Sequence, residues 1–318
     1  MSMMNIGAAV NSAEYERTFW DALRGKNADT QRLHAGRDSL TGAFALPAAD
    51  SPKCEEAITA ESTFRQIATI MRPTRESKIY TYDFENIASW IPEGANIPTE
   101  EMDSDFEKLT MLSHKLVVLT KIDNDFVYDA GFDFKSLFLR KLGRSFASAE
   151  DAAFVNGTGV NMPTGILDDA AGAEVRVTTA EVTCDDLIRL YFSLDKKYRD
   201  HGIWMMNDET AMQLRTMKDS SGGYLWNHNT DTIFGKPVIL CKAMPSIGSG
   251  TKPIAFGDFS YYWIVIRKAL AVRTLTEKFI LNDQTGYLAH EFMDAKLVHR
   301  DAIKVMQIEK EMISGSQG

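Results

Sequence analysis

The tightest constraint in this sequence is an apolar stripe between residues 132 and 155. Phe134, Phe138, Leu142 and Phe146 recur at four-residue steps, with Leu137 beside them and Ala149 and Ala153 extending the line. That period belongs to an α-helix with one buried face. Asn156-Gly157-Thr158-Gly159 follows, and glycine at such a place ends a helix. At ~1.5 Å per residue the helix is more than roughly 30 Å long. A helix of that length is a spine along which other elements are laid, and Phe134, Phe138, Leu142 and Phe146 are its expected core.

The flanks add strands on both sides. Residues 79–91 read as an extended segment. Residues 92–105 (PEGANIPTEEMDSD) form an acidic stretch with two prolines and a glycine, which no regular helix accommodates. His114 to Thr120 is rich in Val and Leu, a strand. Strand, polar tip and returning strand make a long hairpin that stands away from the body; a solvated surface loop has the same composition. After the spine, Leu187, Leu190, Tyr191 and Leu194 form a helical face, 203–206 is a buried strand, and 210–218 is a second helix. Strands are expected at 238–241, 254–259, 261–266 and 270–275. This mixture reads as α+β.

The front is different. Glu14 to Arg24 gives a short amphipathic helix with Tyr15, Phe19, Trp20 and Leu23 on one face. A polar stretch follows, and Pro47 and Pro52 favour an extended path. Such an arm suits packing on a neighbouring molecule rather than on its own domain. The tail, 313–318, is small and polar, as in a disordered end.

Several function classes find no support. The 318 residues carry a net charge of −9, against a general basic field for nucleic acid or anionic membrane. Cys54, Cys184 and Cys241 are distant and odd in number, which indicates neither a zinc site nor a disulfide framework but free thiols in a reducing compartment. No apolar run approaches a membrane span, and residues 1–10 lack the pattern of a signal peptide. His290-Glu291 begins like a zinc-protease motif, but position 294 is Asp rather than His. Gly157-Thr158-Gly159 lacks the strand and the Gly-Lys-Ser/Thr of a phosphate loop. No GxSxG is present. Asp258 reads as a turn residue, and Asn207 with Asp208 as a helix start. No enzyme, metal or cofactor is expected.

Taken in order, these stretches resemble the major capsid proteins of tailed bacteriophages with the Hong Kong 97-type fold. The stretches that carry the resemblance are EYERTFWDALRGK (14–26), LTGAFALP (40–47), 90–106 with its tryptophan, acidic residues and phenylalanine, FVNGTGVNMPTGIL (154–167), 204–223, FGKPV (234–238) and AFGDF (255–259). It covers residues 14–308. No single motif is decisive; the ordered set is specific. The resemblance implies an amino-terminal arm (1–58), a peripheral domain (59–75 and 113–178) with a spine helix at about 132–155, an extended loop (76–112), an axial domain (179–269), a return to the peripheral domain (270–312) and a tail (313–318). It implies a subunit that builds the icosahedral phage head from pentamers and hexamers around double-stranded DNA without sequence specificity, assembled in the host cytoplasm and located in the virion. Its implied partners are further copies of itself, a portal, a scaffolding protein or protease, and decoration proteins. Only about forty residues precede Leu40, so scaffolding is expected as a separate protein or as a segment removed by processing. The alternative is an encapsulin-type nanocompartment shell enclosing cargo enzymes.

The resemblance also implies site residues. Trp90, Glu93, Pro98, Phe106 and Lys108 belong to the extended-loop interface. Some relatives join subunits by an isopeptide bond from a loop lysine to a neighbour's asparagine, with a glutamate as base. Lys108 falls at the lysine, Asn282 at the asparagine, and Glu291 near the base, slightly further from Asn282 than in the crosslinking pattern. The plainer reading makes them a surface lysine, a turn residue beside Asp283, and a solvated strand residue.

Overall fold

A computed structural model describes residues 10–26, 30–38, 41–73, 79–82, 106–129, 131, 133–218, 222–227 and 229–310. The spine runs from Phe134 to Asn156, 23 residues or about 34 Å. Asp133 caps it, its carboxylate accepting from the Ser136 amide at 3.2 Å. Phe134, Leu142 and Phe146 are 0% exposed and Phe138 is 1% exposed. Leu137 is 45% exposed, so the buried stripe is narrower than the run of apolar letters.

Of the two large sheets, the five-stranded one runs along this spine, meeting Phe134 through Tyr287 and Phe154 through Tyr262, and the seven-stranded one packs near its carboxy-terminal end. The strands, in chain order, are β1 (Phe44–Ala45), β2 (Thr69–Met71), β3 (Ile79–Tyr82), β4 (Phe106–Leu109), β5 (His114–Asp123), β6 (Glu174–Thr179), β7 (Ile203–Met206), β8 (Trp226–Asn227), β9 (Thr232–Ile233), β10 (Lys236–Leu240), β11 (Ile254–Gly257), β12 (Tyr262–Leu275), β13 (Gln284–Leu297) and β14 (Ile303–Ile308). A five-stranded sheet has the order β1-β12-β13-β5, with β2 added in parallel to β12. A seven-stranded sheet has the order β6-β14-β11-β7-β10-β9-β8, with β7 at its centre. Strands β3 and β4 form a separate pair among the described residues.

The long strands β12 and β13 explain themselves in different ways. The sequence suggests two strands across 261–275, but they are one, because irregular register between Ile266 and Ala271 absorbs the interruption without ending the pairing. Strand β13 lacks the two-residue alternation of a half-buried strand, since it is covered on both faces. Tyr287, Ala289, Met293 and Ala295 are buried, and so are His290, Glu291 and Asp294. A charged, doubly buried strand gives no periodic signal.

Three expectations need correction. First, the amino-terminal helix (Ala13–Leu23) forms, but it packs on its own subunit. Trp20 meets Phe134 and Phe138 edge-on at 6.3 and 6.2 Å, and its indole N–H donates to Asp50 at 2.8 Å. Second, Pro52 does not extend the chain. It sits in the first turn of a helix, Ser51–Glu61, where a missing amide costs nothing. That helix presses on the spine so closely that a Cβ on Gly143 would stand 2.9 Å from the Ala57 backbone carbon. Third, the two sheets do not divide the chain at 269/270. Residues 262–269 already belong to the five-stranded sheet, and 303–308 return to the seven-stranded one, where Ile303 and Val305 find an apolar slot beside Ala255 and Met205.

Candidate assembly surfaces

The best-defined polar cluster lies between the spine, the five-stranded sheet and the short helix Thr63–Ile67. Ser62 starts that helix, and Asp151 of the spine accepts from the Ser62 hydroxyl at 2.7 Å and the Thr63 amide at 2.8 Å. The anchored turn brings Arg65 inward. Its Nε and Nη2 donate to the two Glu150 oxygens at 2.7 and 2.8 Å, and Nη2 also reaches Glu291 of β13 at 3.3 Å. All three residues are buried, and Arg65 Nη1 has no partner among the described residues. Burial raises Glu150 above the ordinary carboxylate range despite Arg65. Burial, opposed by Arg65 and reinforced by Glu150, pushes Glu291 up to about 7.

Alternation along β13 decides what Glu291 and His290 do. Adjacent strand residues point to opposite faces. Glu291 turns toward Arg65, while His290 turns away and meets the Thr41 hydroxyl at 3.1 Å. They therefore make no joint metal or base site, and among the described residues no cluster of His, Cys, Asp and Glu could hold a metal ion. Asn282 ends a 3-10 turn, Glu277–Asn282, just before β13 begins at Gln284. At about 3.3 Å per residue, Glu291 lies more than roughly 20 Å along the strand from that point. Glu291 is also not the solvated strand residue of the plainer reading.

The hairpin is described at its base. In β3 and β4, Tyr80 pairs with Lys108 and Tyr82 with Phe106. Trp90, Glu93 and Pro98 lie outside the described residues. The chain leaving β4 is stitched to the five-stranded sheet. The Leu112 amide donates to the buried Asp294 carboxylate at 2.6 Å, and Lys296 donates to the Thr110 carbonyl at 2.8 Å. Sequence reasoning missed Asp294, which carries no motif beyond spoiling the protease pattern.

The other singled-out residues have structural roles. Asn207 caps the helix Asp208–Thr216, accepting from the Thr210 amide at 2.8 Å and donating to Ser246 at 2.8 Å. Asp258 starts a 3-10 turn by accepting from Ser260. Cys54 and Cys241 are buried with thiols pushed up by that burial, Cys54 to about 12. No described helix is long and apolar enough to cross a membrane.

Comparison with known proteins places this architecture. The phage capsid family matches residues 42–308. Among solved structures, the capsid of an empty GTA particle shares 26% identity at a TM-score of 0.64, over 78% of this chain and 90% of that one. The structure from Microbacterium phage Oxtober96 shares 17% identity at a TM-score of 0.56, over 78% and 91%. That from Gordonia phage Cozz shares 13% at 0.56, over 79% and 87%. No curated protein matches. The α+β arrangement, a spine with two sheets, is the Hong Kong 97-type capsid fold. With the family matched over most of its length and the fold shared across nearly the whole of the GTA capsid chain, this protein belongs to the phage capsid family.

Proposed function

We propose that this chain is the major capsid protein of a tailed phage, self-assembling into the icosahedral shell of the head. The observation that carries the reading is the family match over residues 42–308. The family is structural rather than enzymatic, and it does not favour the encapsulin alternative. The spine with the five-stranded sheet serves as the peripheral domain, and the seven-stranded sheet, with residues 303–308 included, as the axial domain. Strands β3 and β4 are the base of the extended loop, which lies on an adjacent subunit, with Trp90, Glu93, Pro98, Phe106 and Lys108 at the contact.

The physics of a shell supports this assignment. Stable interfaces bury on the order of 1,200–2,000 Å², and a subunit repeated in pentamers and hexamers forms several. Exposed apolar side chains such as Phe126, Phe192, Met212 and Leu281 become covered only when copies meet. The net charge of −9 suits a wall that encloses double-stranded DNA without gripping it. A portal, a scaffolding protein or protease, and decoration proteins complete the head, and assembly takes place in the host cytoplasm.

The test is negative-stain microscopy of the expressed protein. Closed shells, or pentamers and hexamers, are expected. A stable monomer at high concentration, or particles filled with cargo protein instead of DNA after infection, would refute the reading.

A further inference from the structure

The β12–β13 connection presents two aliphatic side chains to water. In the turn Glu277–Asn282, Ile280 is 69% exposed and Leu281 is 98% exposed. This is not a loose end. Phe279 packs against Gly286, where an added Cβ would stand 2.5 Å from its ring. Asp283 adopts a left-handed conformation (φ 51°), and its amide closes the turn on the Ile280 and Phe279 carbonyls. Asn124 donates to the Asp283 carboxylate at 2.7 Å and accepts from Thr285 at 2.7 Å, while Gln284 donates to Asp123 at 2.6 Å. The polar groups at the foot of the turn are thus used to hold its apolar crest outward. A rigid, outward-facing apolar crest has its ordering cost met before any partner arrives.

A matching recess lies at the same end of the sheet. Strand β5 is an edge strand, and between it and the spine helix an open groove of about 650 Å³ is lined by Ile122, Phe126, Leu137, Arg140, Lys141 and Arg144 among others. Its floor is apolar and its rim basic. Arg144 pairs with Glu61, but Arg140 and Lys141 make no ion pair among the described residues. The crest carries the carboxylate of Glu277, while that of Asp283 is engaged by Asn124 at its foot. Crest and groove are neighbours, because Thr285 pairs with Ile122 and Gln284 with Asp123. Yet the exposure of Leu281 shows that the crest does not fill the groove of its own chain.

We propose that Ile280 and Leu281 of one copy seat in the groove between β5 and the spine helix of a second copy. The inference rests on the shell-building reading. Two different patches meeting head to tail at one end of the molecule form a ring when the rotation closes, which is how a contact is repeated around a local symmetry axis. The apolar pair supplies burial, and the Glu277 carboxylate meets the basic rim of Arg140 and Lys141, which sets orientation.

Two measurements test it. In the first, Leu281→Asp is expressed beside the parent chain and assembled particles are separated by sedimentation. Particle yield is expected to fall by about tenfold or more, with the thermal melt of the unassembled subunit unchanged, since the residue touches little within its own chain. Undiminished particle yield overturns the seat while leaving the capsid reading intact. If the parent chain itself forms no particles, both fall together. The second measurement does not depend on the variant's yield. With Cys184→Ser in every chain, a Leu281→Cys chain and a Leu137→Cys chain are assembled separately and as a mixture, then oxidised. A disulfide-linked dimer is expected from the mixture alone. A dimer from Leu281→Cys by itself would show crests meeting crests, and no dimer from the mixture would place the crest elsewhere; either result refutes the seat.

Discussion

Glu150 of the spine helix and Glu291 of β13 share one buried guanidinium, that of Arg65. Two carboxylates against one cation leave an excess negative charge where water cannot solvate it, so one of the acids holds a proton more readily than it would in water. Burial pushes Glu291 up to about 7 and raises Glu150 as well. In the unfolded chain both return to about 4.3. The folded protein therefore binds protons that the unfolded chain releases. The stability from this proton is fully present below pH about 4.3 and is lost as pH rises through about 7, a swing of at most about 4 kcal/mol. Urea melts at pH 5 and pH 8 check it. The parent chain is expected to lose more stability between them than Glu291→Gln, which carries a neutral group at every pH. Equal losses would show that Glu291 is not the titrating group.

Gly143 faces Ala57 where the helix Ser51–Glu61 crosses the spine. In an open helix, alanine would be favoured over glycine by about 1 kcal/mol. Here the added methyl would lie 2.7 Å from the Ala57 Cβ and 2.9 Å from its backbone carbon. Backbone cannot swing aside as a side chain can, so Gly143→Ala is expected to destabilise by about 1–3 kcal/mol. A rise in melting temperature would show that the two helices separate easily.

Phe138 contacts Trp20 at 6.2 Å and Tyr287 at 5.1 Å, joining the amino-terminal helix, the spine and β13. Phe138→Asp puts an unpaired charge in that junction, at a cost of about 4 kcal/mol or more. Loss of soluble subunit and of particles is expected, and a normal particle yield would mean that the stripe is not a core.

Lys108 and Asn282 remain candidates for a covalent bond between subunits, but the glutamate expected to serve them is engaged elsewhere. Glu291 is 4% exposed and turned toward Arg65. An amide-forming base must reach the lysine proton, within hydrogen-bond range or through one water. Denaturing gels of mature particles are accordingly expected to show one band near the 35.6 kDa of the chain. A ladder that disappears in Lys108→Ala would establish the bond and require a different base.

Much of the architecture can be read from letters in order. The spine, the helix carrying Tyr15, Phe19, Trp20 and Leu23, and the strand before Asn207 are each announced by a local period or a capping residue, because their burial is one-sided and repeats along the chain. The sequence by itself also determined the absence of the familiar catalytic motifs and, through its ordered set of stretches, the resemblance to capsid proteins. Only the tertiary structure decided that the front of the chain packs on its own spine, since an amphipathic helix states which face it buries but not against which molecule. Only it decided that β13 is a central strand and that 303–308 crosses back to the second sheet. The same holds for the pairing of Glu150 with Glu291, which are 141 residues apart in sequence, and for the neighbouring crest and groove. Those relationships arise from contacts between distant segments, and a local pattern of residues carries no record of which distant segment it will meet.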